Sequence, residues 1–177
     1  MTPTAEFSHI VTVEPWPLEA ITIELVATVE ECERLKKRFD LVDCKALKAI
    51  GKIEKAGHEL VFDGTFEADV VQTCVATLKP IASTVKASFE RRYRQGGDDM
   101  DGRSQGDDAL DSDEVDVEIL RDGHIDAGEV VAEEFYLALD PYPRADDADL
   151  VMAEVQGVLG HDDDEQPDNP FAKLRRH

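Results

Sequence analysis

The 177-residue chain is poor in the residues that build covalent or metal-held frameworks. It has three cysteines, Cys32, Cys44 and Cys74, widely spaced and without a CxxC pair, and five sequence-isolated histidines. That pattern argues against a disulfide scaffold or a zinc site and fits a reducing compartment. No apolar run approaches the length of a membrane span, and the N-terminal MTPTAEFSHI has neither an early Lys or Arg nor an apolar core of the kind a signal peptide needs. A phosphate-cradling glycine motif, a nucleophile elbow and a Ser/His/Asp order are all missing. These absences predict a cytoplasmic protein with no membrane segment, no catalytic residue, no cofactor and no bound metal.

Acid is what the chain has in excess. Asp and Glu number 40 against 19 Lys and Arg, a formal net charge of -21. The excess is segregated: residues 95 to 116 carry nine acids and one base, Arg103, and residues 145 to 168 carry nine acids and no base. Setting aside those 18 acids and one base leaves 22 acids against 18 bases, a net of -4, so the remaining body is nearly balanced. A global charge of this sign repels phosphate backbones and makes basic proteins the more natural partners. Each acid run reads first as a solvated, disordered stretch and second as a docking surface.

Periodicity outlines a fold. Phe7 to Val13 and Ala20 to Thr28 are rich in Ile, Val and Thr, with Pro15, Trp16 and Pro17 between them, and read as strands flanking a turn; the lone Trp16 is expected to cap a core edge. Thr28 and Glu31 form a capping-box pair, and Val29, Cys32, Leu35 and Phe39 stripe the helix that follows. Asp43 to Ala56 is ambiguous, because Leu47, Ile50 and Ile53 suit a helix whereas Gly51 suits a strand; a strand is expected. Leu60 to Val75 alternates strictly, with Gly64 marking a bulge or bend. Ile81 to Tyr93 is a further strand, and Val115, Val117 and Ile119 place one more after the acid run. Asp122 and Gly123 make a turn, Asp126 caps a helix that Pro141 stops, and a short helix is expected near Leu150 to Val158.

The fold class expected is α+β, a curved, mainly antiparallel sheet or partly closed barrel with two or three helices and acidic disordered segments. Residues 1 to 144 read as one domain interrupted by the acidic loop near 95 to 114, and 145 to 177 as an acidic tail ending in a short basic motif.

Several residue groups admit a functional reading. Lys48, Lys52, Arg91 and Arg92 could form an RNA-binding face if the strands bring them together, or an ordinary solvated sheet face, because no aromatics interleave with them for base stacking. At the C-terminus Asn169 and Pro170 can start a short helix with Phe171 and Leu174 as anchors beside Arg175 and Arg176, a possible partner-docking motif or a segment that folds back. The acids at Asp98 to Asp113 lack the ligand order of an EF-hand loop. Cys74, inside a strong strand and without an evident thiolate stabiliser nearby in sequence, reads as buried and inert.

Two blocks, Glu59 to Pro80 (ELVFDGTFEADVVQTCVATLKP) and Glu133 to Arg144 (EEFYLALDPYPR), together with Asn169, Pro170, Phe171 and Leu174, resemble the large-ribosomal-RNA accumulation family typified by YceD. The resemblance implies a part in accumulation or processing of large-subunit ribosomal RNA, with no catalytic residue identified. Many members of that family have a second cysteine just after the position of Cys74, and some have a C-terminal cysteine cluster suited to metal; here Ala76 and Thr77 follow and the C-terminus has none, so metal binding does not carry over. The partners this reading implies are a ribosomal protein or ribosome assembly factor, with ribosomal RNA itself as a possible contact. Direct recognition of structured RNA, an RNA-processing enzyme and a general acidic chaperone are the alternatives. Oligomeric state is not encoded in any feature of the sequence.

Overall fold

The computed structural model describes residues 6–96, 117–120 and 122–159. Its elements, in chain order, are β1 (Ile10–Thr12), β2 (Ile21–Val26), α1 (Val29–Arg38), β3 (Asp43–Ala56), β4 (Glu59–Thr73), β5 (Pro80–Gln95), β6 (Val117–Leu120), β7 (His124–Asp126), α2 (Ala127–Ala138) and α3 (Ala148–Leu159). Five strands form one sheet in the order β2-β3-β4-β5-β6, and β1 pairs with β7 in a separate two-stranded sheet. The class is α+β as expected, and of the two forms anticipated the chain adopts the open sheet, not a barrel. The sheet is mostly antiparallel, but β5 and β6 run parallel, Arg92 opposite Val117. Parallel neighbours need a long return connection in place of a tight turn, and the acid-rich stretch between Gln95 and Val117 supplies that length.

Asp43–Ala56 is a 14-residue strand, which resolves the ambiguity of that segment. Leu47 and Ile53 are fully buried while Ile50 points outward at 59% exposure, so the apparent helical stripe is split between two faces. The bulge falls between Cys44 and Ala46, not at Gly64. That one-residue slip lets Cys44 and Leu47, three positions apart, both face inward. Gly64 instead pairs directly with Gly51. A Cβ on Gly64 would sit 2.7 Å from the Ile50 carbonyl oxygen and 2.9 Å from the Phe89 ring, so the glycine pair makes room for the edge-on Phe62–Phe89 contact, with centroids 5.0 Å apart.

The chain divides into two compact units. The larger comprises residues 1–72 and 82–141. Its core lies between the inner face of the sheet, through Leu47, Ile53, Leu60, Phe62, Phe66 and Val70, and the two helices, through Leu35 of α1 and Val131 and Phe135 of α2. Phe135 meets Phe39 and Phe66 edge-on at 5.5 and 6.2 Å. The α1 capping box forms as predicted, with Thr28 Oγ1 accepting from the Glu31 N–H and the Thr28 N–H donating to Glu31. Val29 departs from the expected stripe: it is 82% exposed, since the first turn lies outside the apolar contact. Ile119 likewise faces solvent, and Leu120 takes the inward position of β6.

Asp126 caps α2 as expected by accepting from the Gly128 and Glu129 N–H groups, and it also accepts from the Ser8 hydroxyl and the His9 N–H. One carboxylate thus fixes both the helix start and the N-terminal segment. The three-residue β7, between the Asp122–Gly123 turn and the Asp126 cap, is too short to show an alternation in sequence. The smaller unit comprises residues 73–81 and 142–177. Within its described part the turn after Cys74 is held by Val75 N–H to Pro143 O and Cys74 N–H to Lys79 O, and α3 extends the short helix expected there.

Candidate partner-binding surfaces

Strand alternation puts Lys48 and Lys52 of β3 and Arg92 of β5 on the outer face of the sheet. Most of these cations are neutralised where they stand. Lys52 Nζ lies 2.8 Å from Glu54 Oε1 and 3.8 Å from Asp63, and the Glu54 hydrogen bond holds its ammonium above the ordinary lysine range. Arg92 pairs with Glu90 at 2.8 Å and approaches Glu59 at 3.8 Å. Lys48 stands opposite Glu67, which is bound by Lys86 at 2.9 Å. The outer face is therefore a checkerboard of opposite charges with Ile50 and Thr65 exposed at its centre.

Arg91 points the other way. Its guanidinium lies between β5 and α2, donating from Nε to Glu134 at 2.7 Å, from Nη1 to Glu118 at 2.6 Å and from Nη2 to Glu133 at 3.1 Å. Burial opposes its charge, but the hydrogen bonds to Glu134 and Glu118 outweigh that and bind the proton more tightly than usual. Three carboxylates on one guanidinium make Arg91 a clamp between sheet and helix. Of the four cations proposed for RNA, three share a face and the fourth is on the opposite one.

Between the end of α1 and α2 lies a groove of about 510 Å³, floored by Phe39, Tyr136 and Leu137 and flanked by Arg38, Arg91, Asp40 and Glu133. The Phe39 and Tyr136 rings are 5.0 Å apart, and Tyr136 and Leu137 are 56% and 71% exposed. Arg38 bridges the helices, donating to Glu129 at 2.6 and 2.9 Å and to Glu6 at 3.2 Å. Aromatic side chains and arginine are the residue types enriched at protein interfaces. Sequence pattern does not reveal this groove, because Phe39 belongs to the α1 stripe, Tyr136 and Leu137 come from α2, and only the packing of the two helices brings them together.

In the smaller unit Cys74 is fully enclosed, as expected, but it does have stabilisers. Its sulfur accepts from the Thr77 N–H at 3.3 Å and the Ala145 N–H at 3.4 Å. Hydrogen bonds from the Thr77 side chain first, then from Ala145, lower the thiol to about 7. Ala145 is 71 residues away, so sequence proximity could not reveal it. Lys79 pairs with Asp147 at 2.7 Å and Arg144 with Asp149 at 3.2 Å. Phe171, Leu174, Arg175 and Arg176 lie outside the described residues.

Among the described residues no three His, Cys, Asp or Glu side chains converge to hold a metal ion, and no helix is long and apolar enough to cross a membrane. No curated protein and no solved structure matches the chain. A family model does, from Phe62 in β4 through the parallel β5–β6 pair, α2 and α3 to Arg176. That match, to the large ribosomal RNA subunit accumulation protein YceD, spans residues 62–176, well over half of the sequence, and the chain belongs to this family.

Proposed function

We propose that this protein is a cytoplasmic, non-enzymatic factor supporting accumulation of large-subunit ribosomal RNA, and that it acts by binding a ribosomal protein or assembly factor. The family match over residues 62–176 carries the first part of the reading. The second part rests on charge. A folded body with nearly balanced, largely paired charges carries two acid-rich stretches, and these are complementary to the basic surfaces that ribosomal proteins present before they meet RNA. The groove of Phe39, Tyr136 and Leu137 offers the folded body's contribution to such an interface.

Deleting the gene and measuring the ratio of mature large-subunit to small-subunit ribosomal RNA tests the reading. A selective fall, restored by re-expression, is expected; an unchanged ratio under several growth conditions rules the role out. Mechanism is tested separately by replacing the acids of residues 98 to 116 with Ser and Asn. Affinity for a basic ribosomal protein is expected to drop, most of all at low salt. Affinity unchanged from the parent at both low and high salt removes the charge-complementarity reading while leaving the RNA phenotype untouched.

A further inference from the structure

Outside these surfaces the larger unit has an open cleft of about 800 Å³, built by three chain segments distant in sequence. Pro15 and Trp16 come from the link between β1 and β2, Lys55 from the end of β3, His58 from the β3–β4 turn, and Arg94 from the end of β5. The Lys55 ammonium lies 5.5 Å from the Trp16 ring centroid, and Glu14 lines the same cleft. Arg94 is held to Glu59 at 2.6 Å. The indole packs against the core at its inner side, and its Nε1 is the one buried side-chain nitrogen or oxygen without a partner among the described residues.

We propose that this cleft binds an unpaired nucleotide, its base stacked on Trp16 and its phosphate held by Lys55 and Arg94. A core-anchored indole is a rigid platform, and a flat π-system is what distinguishes a base from a carboxylate side chain as the occupant. Lys55 leaves the ring face to meet the phosphate, a rearrangement within reach of its flexible stem. Arg94 is held by Glu59 and Glu14 lines the same cleft, so the site suits the single charge of a phosphodiester better than a polyphosphate. Stacking therefore supplies most of the affinity. The aromatic component that base recognition requires is brought by the fold to Lys55 and Arg94, which lie far from Trp16 in sequence. The site is separate from the protein-docking surfaces and does not rest on that reading.

Trp16 is the chain's only tryptophan, so its fluorescence reports the cleft directly. The full chain is titrated with an unstructured eight-nucleotide RNA and with adenosine monophosphate. Saturable quenching by either supports the proposal; tighter binding of the oligomer identifies an RNA strand as the source, and equal affinity identifies a free nucleotide. One phosphate contact predicts a shallow salt dependence, a log–log slope of about -0.7, which Lys55→Gln brings towards zero. Read by anisotropy of labelled RNA, Trp16→Leu loses about tenfold or more in affinity. Lys37→Gln, in the last turn of α1, leaves binding unchanged. Should Trp16→Leu unfold by circular dichroism, Lys55→Gln and Arg94→Gln carry the test alone. Absence of saturable quenching at millimolar concentrations, binding indifferent to Lys55→Gln and Arg94→Gln, or equal quenching by a polyglutamate peptide overturns the assignment.

Discussion

The two faces of the five-stranded sheet use the same strands for opposite ends. The inner face is apolar and closed by helices: Leu47, Leu60 and Phe62 on it are at most 1% exposed. The outer face, from residues one position along, carries Lys48, Lys52, Asp63, Glu67, Lys86 and Glu90, with Ile50 exposed among them. Stability is concentrated on one side, and on the other the charges cancel locally in paired side chains.

The contrast predicts its own largest effect. Phe135→Ala, which empties a fully buried site against Phe39 and Phe66, is expected to cost about 3–5 kcal/mol in urea unfolding. Ile50→Ala on the outer face is expected to cost within about 0.5 kcal/mol. Comparable losses for the two would mean that the outer face is covered in solution, which would break the comparison.

Gly64 sharpens it from the backbone side. Gly64→Ala pushes a methyl against the Ile50 carbonyl and the Phe89 ring, and the overpacking is expected to cost about 1–3 kcal/mol. Adding Phe89→Leu to this variant should recover part of the loss if the ring is the obstacle. No recovery would assign the cost to the Gly51–Gly64 backbone contact instead.

The charged pairs divide along the same line. Arg91, 22% exposed and shared by Glu118, Glu133 and Glu134, is expected to cost about 1 kcal/mol on replacement by Gln, less than a fully buried pair because solvent reaches it. Lys52→Gln, whose partners are as exposed as it is, should leave the unfolding midpoint where it was. A matching loss at Lys52 would show that the outer checkerboard is structural.

Much of this division was legible in sequence because both periods are local. The alternation of Leu60 to Val70, the Thr28–Glu31 box and the Asp126 cap are each set by residues a few positions apart, and all three formed as read. The failures share a cause. The bulge after Cys44, the outward turn of Val29 and the inward turn of Leu120 are settled by what packs across from them. The candidate sites were less legible still: Trp16 with Lys55, and Phe39 with Tyr136, are pairs that only the tertiary fold brings together.

The smallest effect is expected at the thiols, where closed apolar packing and hydrogen-bonded enclosure pull in opposite directions. Cys44 belongs to the inner face, and burial first, then the neighbouring Cys32 thiol, pushes it up to about 12. Its raised folded value means that its contribution is complete below the unfolded thiol range near 9 and is lost as pH rises from there towards 12. Cys74 is held down to about 7 by the Thr77 and Ala145 hydrogen bonds, so its contribution is complete above the unfolded range near 9 and is lost as pH falls through 7. Stability measured against pH should therefore separate two variants. The difference between the parent and Cys74→Ala is expected to grow from pH 7 to 9, whereas the difference between the parent and Cys44→Ala holds over that range and shrinks only above it. A Cys74→Ala difference that stays flat would show that the Thr77 and Ala145 donors do not favour the thiolate in solution, and that the two enclosed thiols differ in geometry alone.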